Sequence, residues 1–131
     1  KPDGSVIVRA KDNLIVDVGF RFIAQSIGLA SGRPAVMSYI AVGTGTTAAA
    51  TGNTALVTEV LRKAATFSHT TGTKVFQFEA TFNAGEATGA ITEAGVLNAA
   101  TAGTMLDRVV FAVINKGADD TLTQRFTFTM S

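Results

Sequence analysis

The chain has 131 residues, enough for one domain with a substantial core, and 47% hydrophobic against 16% charged residues exclude a disordered tail. Eleven basic against ten acidic side chains leave a formal charge of +1, which provides no electrostatic footprint for nucleic acid or an anionic membrane. The lack of cysteine excludes disulfides, thiolate metal sites and thiol nucleophiles, and no apolar run approaches the roughly 20 residues of a membrane helix.

The first residues lack the charged, apolar and cleavage-site order of a signal peptide, and a start at Lys1 implies that leading residues are missing or removed. Residues 5–10 (SVIVRA) alternate β-branched with small or polar residues, as a strand does. Within 14–29 the apolar residues Phe20, Ile23 and Ile27 recur at helical spacing; Asp17 is the expected N-cap and Gly28 the stop, giving one helix over 18–27. Residues 30–34 (ASGRP) form a loop, 37–42 a strand, and 43–53 a long loop of small residues. Residues 54–59 read either as one helical turn or as an irregular approach to the next strand.

From Val60 onward the pattern is β throughout. Strands over 61–69 and 73–82 flank Thr70-Thr71-Gly72, a hairpin signal. In the second arm Phe76, Phe78, Ala80 and Phe82 share one face, the clearest period of two in the chain. Further strands cover 91–98, 105–114 and 122–130, separated by turn-rich segments at 83–89, 99–104 and 115–121. Short strands with glycine-rich turns predict a mainly β fold, an antiparallel, jelly-roll-like β-sandwich with one short helix in its N-terminal half. Residues 1–12 are expected to be an N-terminal arm or edge strand, and 13–131 a single sandwich domain.

The most conspicuous chemical pattern is Gly43-Thr44-Gly45-Thr46-Thr47-Ala48, the spacing of a dinucleotide-binding fingerprint. A phosphate loop needs a helix to start directly behind it, so that amide groups and helix dipole meet the anion. AAATGNT and then a hairpin follow instead, and no Gly-Lys-Ser/Thr appears. The glycines are therefore expected to supply unusual backbone angles where the chain leaves a strand. His69, the single histidine, lies beside a turn; adjacent Ser68 points to the opposite face and cannot partner it. Carboxylates without Trp and with only Tyr39 make a poor sugar cleft, and Asp119-Asp120 reads as a turn. No cofactor or metal is expected. Glu59-Val-Leu-Arg62-Lys63 and Glu93-Ala-Gly-Val-Leu read as local or intersubunit ion-pair positions, register marks worth about 0–1 kcal/mol at an exposed site. Nine Phe serve the core, with an oligomer interface for any left outside.

The runs YIAVGTGTT (39–47), TALVTEVLRKAATFS (54–68), FEATFNAGEATGAITEAGVLNAATAGTMLDRVVF (78–111) and DTLTQRFTFTMS (120–131) occur in that order. Together they resemble a group of small virion structural proteins of tailed bacteriophages, over roughly residues 13–131. The resemblance implies a compact β-sandwich without catalytic residues, present in many copies on the particle, commonly as a trimer or other ring. Its partners would be copies of itself and a major capsid or tail protein, and its location the virion, assembled in the host cytoplasm. The chain has no heptads, collagen-like repeat or β-helix repeat, so a capsid decoration (cement) protein or a tail- or fibre-associated module is expected rather than a shaft. Gly43, Thr44, Gly45, Thr46, Glu59 and Arg62 are the candidate interface. The alternative is a receptor- or carbohydrate-binding sandwich using loops 43–53 or 83–89; a small enzyme is a third reading.

Overall fold

A computed structural model describes residues 5–10 and 14–130. Among them nine strands and one helix follow in the order β1 (Ser5–Ala10), β2 (Leu14–Ile15), α1 (Asp17–Gly28), β3 (Tyr39–Gly43), β4 (Glu59–Ala64), β5 (Thr66–His69), β6 (Val75–Phe82), β7 (Gly89–Leu97), β8 (Met105–Lys116) and β9 (Thr121–Thr129). They form a β-sandwich of a four-stranded sheet, β1-β9-β6-β5, and a five-stranded sheet, β2-β8-β7-β3-β4. Every pairing is antiparallel except β1 with β9, which is parallel from Ser5↔Thr121 to Ala10↔Phe126. The hairpins β3–β4, β5–β6 and β7–β8 each pair neighbours within one sheet, rather than alternating between sheets as jelly-roll strands do. Of the expected N-terminal arm or edge strand, residues 5–10 are an edge strand, while 1–4, 11 and 12 lie outside the described residues.

Alternation decides what enters the core. On β9 Leu122, Phe126 and Phe128 are buried while Thr123, Arg125 and Thr127 are half-buried on the other face. On β6 Phe78, Ala80 and Phe82 are buried and Phe76 packs beside them, as the sequence predicts. Facing them from the second sheet are Ile40, Val42, Ile91, Ala94, Val96, Leu106 and Val109. Each such aliphatic or aromatic side chain withdrawn from water contributes about 1.5–3 kcal/mol. Met130, the last residue of the strand expected over 122–130, is 53% exposed just beyond β9.

The structure moves several boundaries. The single strand expected over 61–69 is two, because the chain passes from one sheet to the other at Ala65, whose amide donates to the Ser38 carbonyl at 2.8 Å. Residues 54–58 contain no helical turn; they form the irregular approach to β4. The helix starts at Asp17 itself, with Val16 as N-cap and no side-chain cap bond. The Asp17 amide instead donates to the Thr51 carbonyl at 2.7 Å, and its carboxylate lies in the first turn, where the helix dipole favours an anion. Gly19 brings the helix against β8: a Cβ there would collide with the Leu106 backbone carbonyl.

Strand β7 is buried on both faces from Ile91 to Leu97. One face meets the sandwich core. The other is roofed by residues 44–58 and the approach to α1, with Val16, Ala41, Leu56, Leu97 and Met105 in a second apolar cluster. That roof is where the polar residues gather.

Candidate functional site

A β-bulge between Ile91 and Glu93 breaks the alternation of β7. Ile91 and Ala94 both face the core, so the two intervening residues, Thr92 and Glu93, turn together toward the roof. The Thr92 hydroxyl donates to the Gly45 carbonyl at 2.8 Å, and the Gly45 amide donates to Glu93 Oε2 at 2.8 Å. Both backbone groups of one glycine are thus held by consecutive side chains of β7.

Glu93 is wholly buried and accepts four hydrogen bonds. Oε2 takes the amides of Gly45 and Thr58, both at 2.8 Å. Oε1 takes the Val57 amide and Arg108 Nε, both at 2.9 Å. Arg108 comes from β8 and is equally buried. Its Nη2 donates to the Thr47 carbonyl at 2.8 Å and its Nη1 to Asn53 Oδ1 at 3.1 Å. Asn53 Oδ1 also accepts the Ala50 amide at 2.9 Å. One ion pair therefore fastens residues 45, 47, 53, 57 and 58 to the centre of the sheet.

Burial pushes the Glu93 carboxyl up, but the amides of Thr58 and Val57, the Arg108 guanidinium and the Gly45 amide outweigh it, and the net shift is downward from 4.5. The group is an anion with its hydrogen-bonding sites occupied and no exposure to water. It holds a loop; it is not placed to give or take a proton from a substrate.

The glycines of the GTGTT run now have a specific reason. Neither Gly43 nor Gly45 has a positive φ, so the expectation of unusual backbone angles does not hold. The requirement is close approach. A Cβ on Gly45 would stand 2.5 Å from Glu93 Oε2 and 2.6 Å from Val57 Cβ. One on Gly43 would stand 2.6 Å from the same oxygen and strike the Thr58 carbonyl.

The other candidate residues divide. Thr44 is half-buried, with its amide on the Thr58 carbonyl at 3.0 Å, while Thr46 is exposed. Glu59 and Arg62 form a two-pronged pair within the chain, at 2.7 and 3.0 Å. Arg62 also donates to the carbonyls of Ala99 (2.8 Å) and Ala102 (2.9 Å), fastening the β7–β8 turn in which Ala102 has φ +52°. Gly43 pairs with Glu59 in register, so the six residues do lie together along β3, β4 and the loop. Glu93, read from sequence as an exposed register mark, is instead the buried anchor. Its partner Arg108 belongs to none of the sequence's candidate sites. The available signal was a charge inside an apolar strand, in GAITEAGVL and MLDRVVF, where only a partnered charge is tolerated.

Elsewhere, the Gly117 amide donates to Asp120 Oδ2 at 2.7 Å, the turn role expected for that segment. His69 Nδ1 lies 2.8 Å from the Val75 carbonyl, exposed at the end of the β5–β6 hairpin. Among the described residues no three His, Cys, Asp or Glu side chains converge in a way that could hold a metal, and no helix is long and apolar enough to cross a membrane. A groove of about 410 Å³ opens between α1 and the four-stranded sheet, lined by Phe22, Ile23, Met37, Phe67, Phe76 and Phe78 among others, with Ser26 the only polar side chain among the described residues that line it. The chain matches no family model, and no curated protein was found that matches it.

Proposed function

We propose that the chain is a non-enzymatic structural protein of a tailed-bacteriophage virion, present in many copies as a capsid decoration (cement) protein or as a tail- or fibre-associated module. The observation that carries this reading is where the resembling runs meet. The run over 39–47 supplies Gly45 and Thr47, the run over 54–68 supplies Val57 and Thr58, and the run over 78–111 supplies Glu93 and Arg108. All of these polar groups are spent on one another. A motif set that builds a rigid roof over a sheet suits a protein whose task is to present a preformed surface, which saves the ordering entropy of association. Self-association and contact with a capsid or tail protein belong to the same proposal, as does a trimer or ring made through the roof and the outer edge of β4.

Electron microscopy of the particle with this protein labelled tests the reading. Regular label on heads assigns cement; label confined to tails assigns the tail module. Absence from purified particles, or a positive glycan array with impaired adsorption when the gene is deleted, overturns it. Deleting residues 1–12 and finding undiminished capsid binding removes any role for the N-terminal segment as an arm.

A further inference from the structure

Gly19 seats the first half of α1 directly on the Leu106 backbone, and the residues that follow, Phe22, Ile23 and Ser26, form one wall of the apolar groove. The other wall is aromatic. Phe78 is buried in the core, and Phe67, in register with it on β5, tilts against it with ring centroids 5.3 Å apart. Phe76 meets both rings, 6.1 Å from Phe67 and 6.2 Å from Phe78. Phe67 is nevertheless 57% exposed, and Val36, from the segment between α1 and β3, is 75% exposed. At about 410 Å³ the groove falls within the roughly 300–1,000 Å³ of small-molecule sites, and its walls forgo the burial that the same residue types gain elsewhere in the core.

Polar chemistry reaches this groove at Ser26. Arg33 lies on the same side of α1, its Nη2 donating to the Ser26 carbonyl. That bond leaves the rest of the guanidinium fork for another acceptor, and Arg33 belongs to none of the ion pairs among the described residues. We propose that the groove binds a small anionic amphiphile, an unbranched alkyl carboxylate. Its chain lies along Phe22, Phe67, Phe76 and Phe78, and its carboxylate accepts from the Arg33 guanidinium and the Ser26 hydroxyl. A guanidinium matches a carboxylate with two parallel donors, and the hydroxyl supplies a further one. A neutral hydrocarbon would leave the cation unused, and a cationic amphiphile would meet it with like charge. Fastening the last turn of α1 occupies only the one carbonyl bond, so Arg33 serves both roles. The site needs no second copy and does not depend on the chain belonging to a virion.

Calorimetric titration of the full chain with decanoate, kept below its micelle concentration, tests this. The expected result is a single site per chain, with affinity rising about tenfold for each two carbons from hexanoate to decanoate. Decyltrimethylammonium, with the same chain and the opposite head group, binds at least about tenfold more weakly. Arg33→Glu inverts that preference, and Phe67→Ser weakens both amphiphiles; both side chains are exposed, so the melting curves stay close to that of the parent chain. Methyl NMR of the unaltered chain gives the location, with the Ile23 and Met37 signals shifting as decanoate is added. The inference is overturned if decanoate produces neither heat nor shifts, if many molecules bind per chain, if both head groups bind alike, or if Arg33→Glu leaves decanoate affinity unchanged. Retention on anionic lipid vesicles without uptake of monomeric decanoate also overturns it, and assigns the apolar surface to a membrane.

Discussion

Glu93→Gln keeps the shape of the buried side chain and removes its charge. Arg108, wholly buried, then has no anion beside it, and the new amide NH₂ points at backbone donors where an oxygen stood. Breaking a buried ion pair by changing one partner costs about 3–5 kcal/mol. Each buried amide left without an acceptor adds about 1–3 kcal/mol, less where the loop relaxes and admits water. The sum is not additive, and about 4 kcal/mol is the expected loss. A domain of this length has a total stability of roughly 7–20 kcal/mol, so the variant folds but is markedly weakened. With a urea slope of about 2 kcal/mol/M, the midpoint drops by about 2 M. Hydrogen exchange adds a local readout, with the amides of Gly45, Val57 and Thr58 losing protection before the rest of the sheet. Arg108→Met and the double variant close a cycle whose coupling energy is expected to exceed about 2 kcal/mol. A loss below about 1 kcal/mol, the worth of a surface pair, with unchanged exchange at those amides, would refute the clamp.

Acidification follows from the same group. Its pKa is lowered on folding, so its stabilisation is fully present above the unfolded value of 4.5 and is lost as pH falls through the lower folded value. Urea midpoints are therefore expected to hold from pH 7 to about 5 and fall below that, with a shallower fall in Glu93→Gln. Glu86, lowered by its bonds to Lys63 and the Asn83 amide, keeps a small acid dependence in that variant. Gly45→Ala is expected to cost about 2–4 kcal/mol in denaturant titration, since a methyl would overlap Glu93 Oε2. Gly52→Ala, in the same loop with open space around its Cβ position, should be neutral or stabilising by up to about 1 kcal/mol. Equal effects of the two would contradict close approach as the reason for Gly45. Gln124 lies wholly buried on β9 with no partner for either amide atom among the described residues, so Gln124→Met is expected to gain about 1–2 kcal/mol, read as a rise in melting temperature of several degrees. A fall would show that the amide is bonded in solution.

What the sequence determined by itself was everything that repeats with the period of the backbone. Phe76, Phe78, Ala80 and Phe82, and again Phe126 and Phe128, reveal a strand and its buried face because side chains alternate across any strand. The helix was legible from Phe20, Ile23 and Ile27, and the hairpin from Thr70-Thr71-Gly72. Tertiary structure decided the features that break the period or depend on a distant partner. The bulge that turns both Thr92 and Glu93 outward leaves no local mark, and the sheet change at Ala65 looks like a continuous strand. Which charge is buried depends on a roof contributed from 35 to 48 residues away in sequence. A glycine chosen for φ and one chosen for close approach look alike until the atom it makes room for is in place. For Gly45 that atom is Glu93 Oε2, and only the folded chain brings the two together.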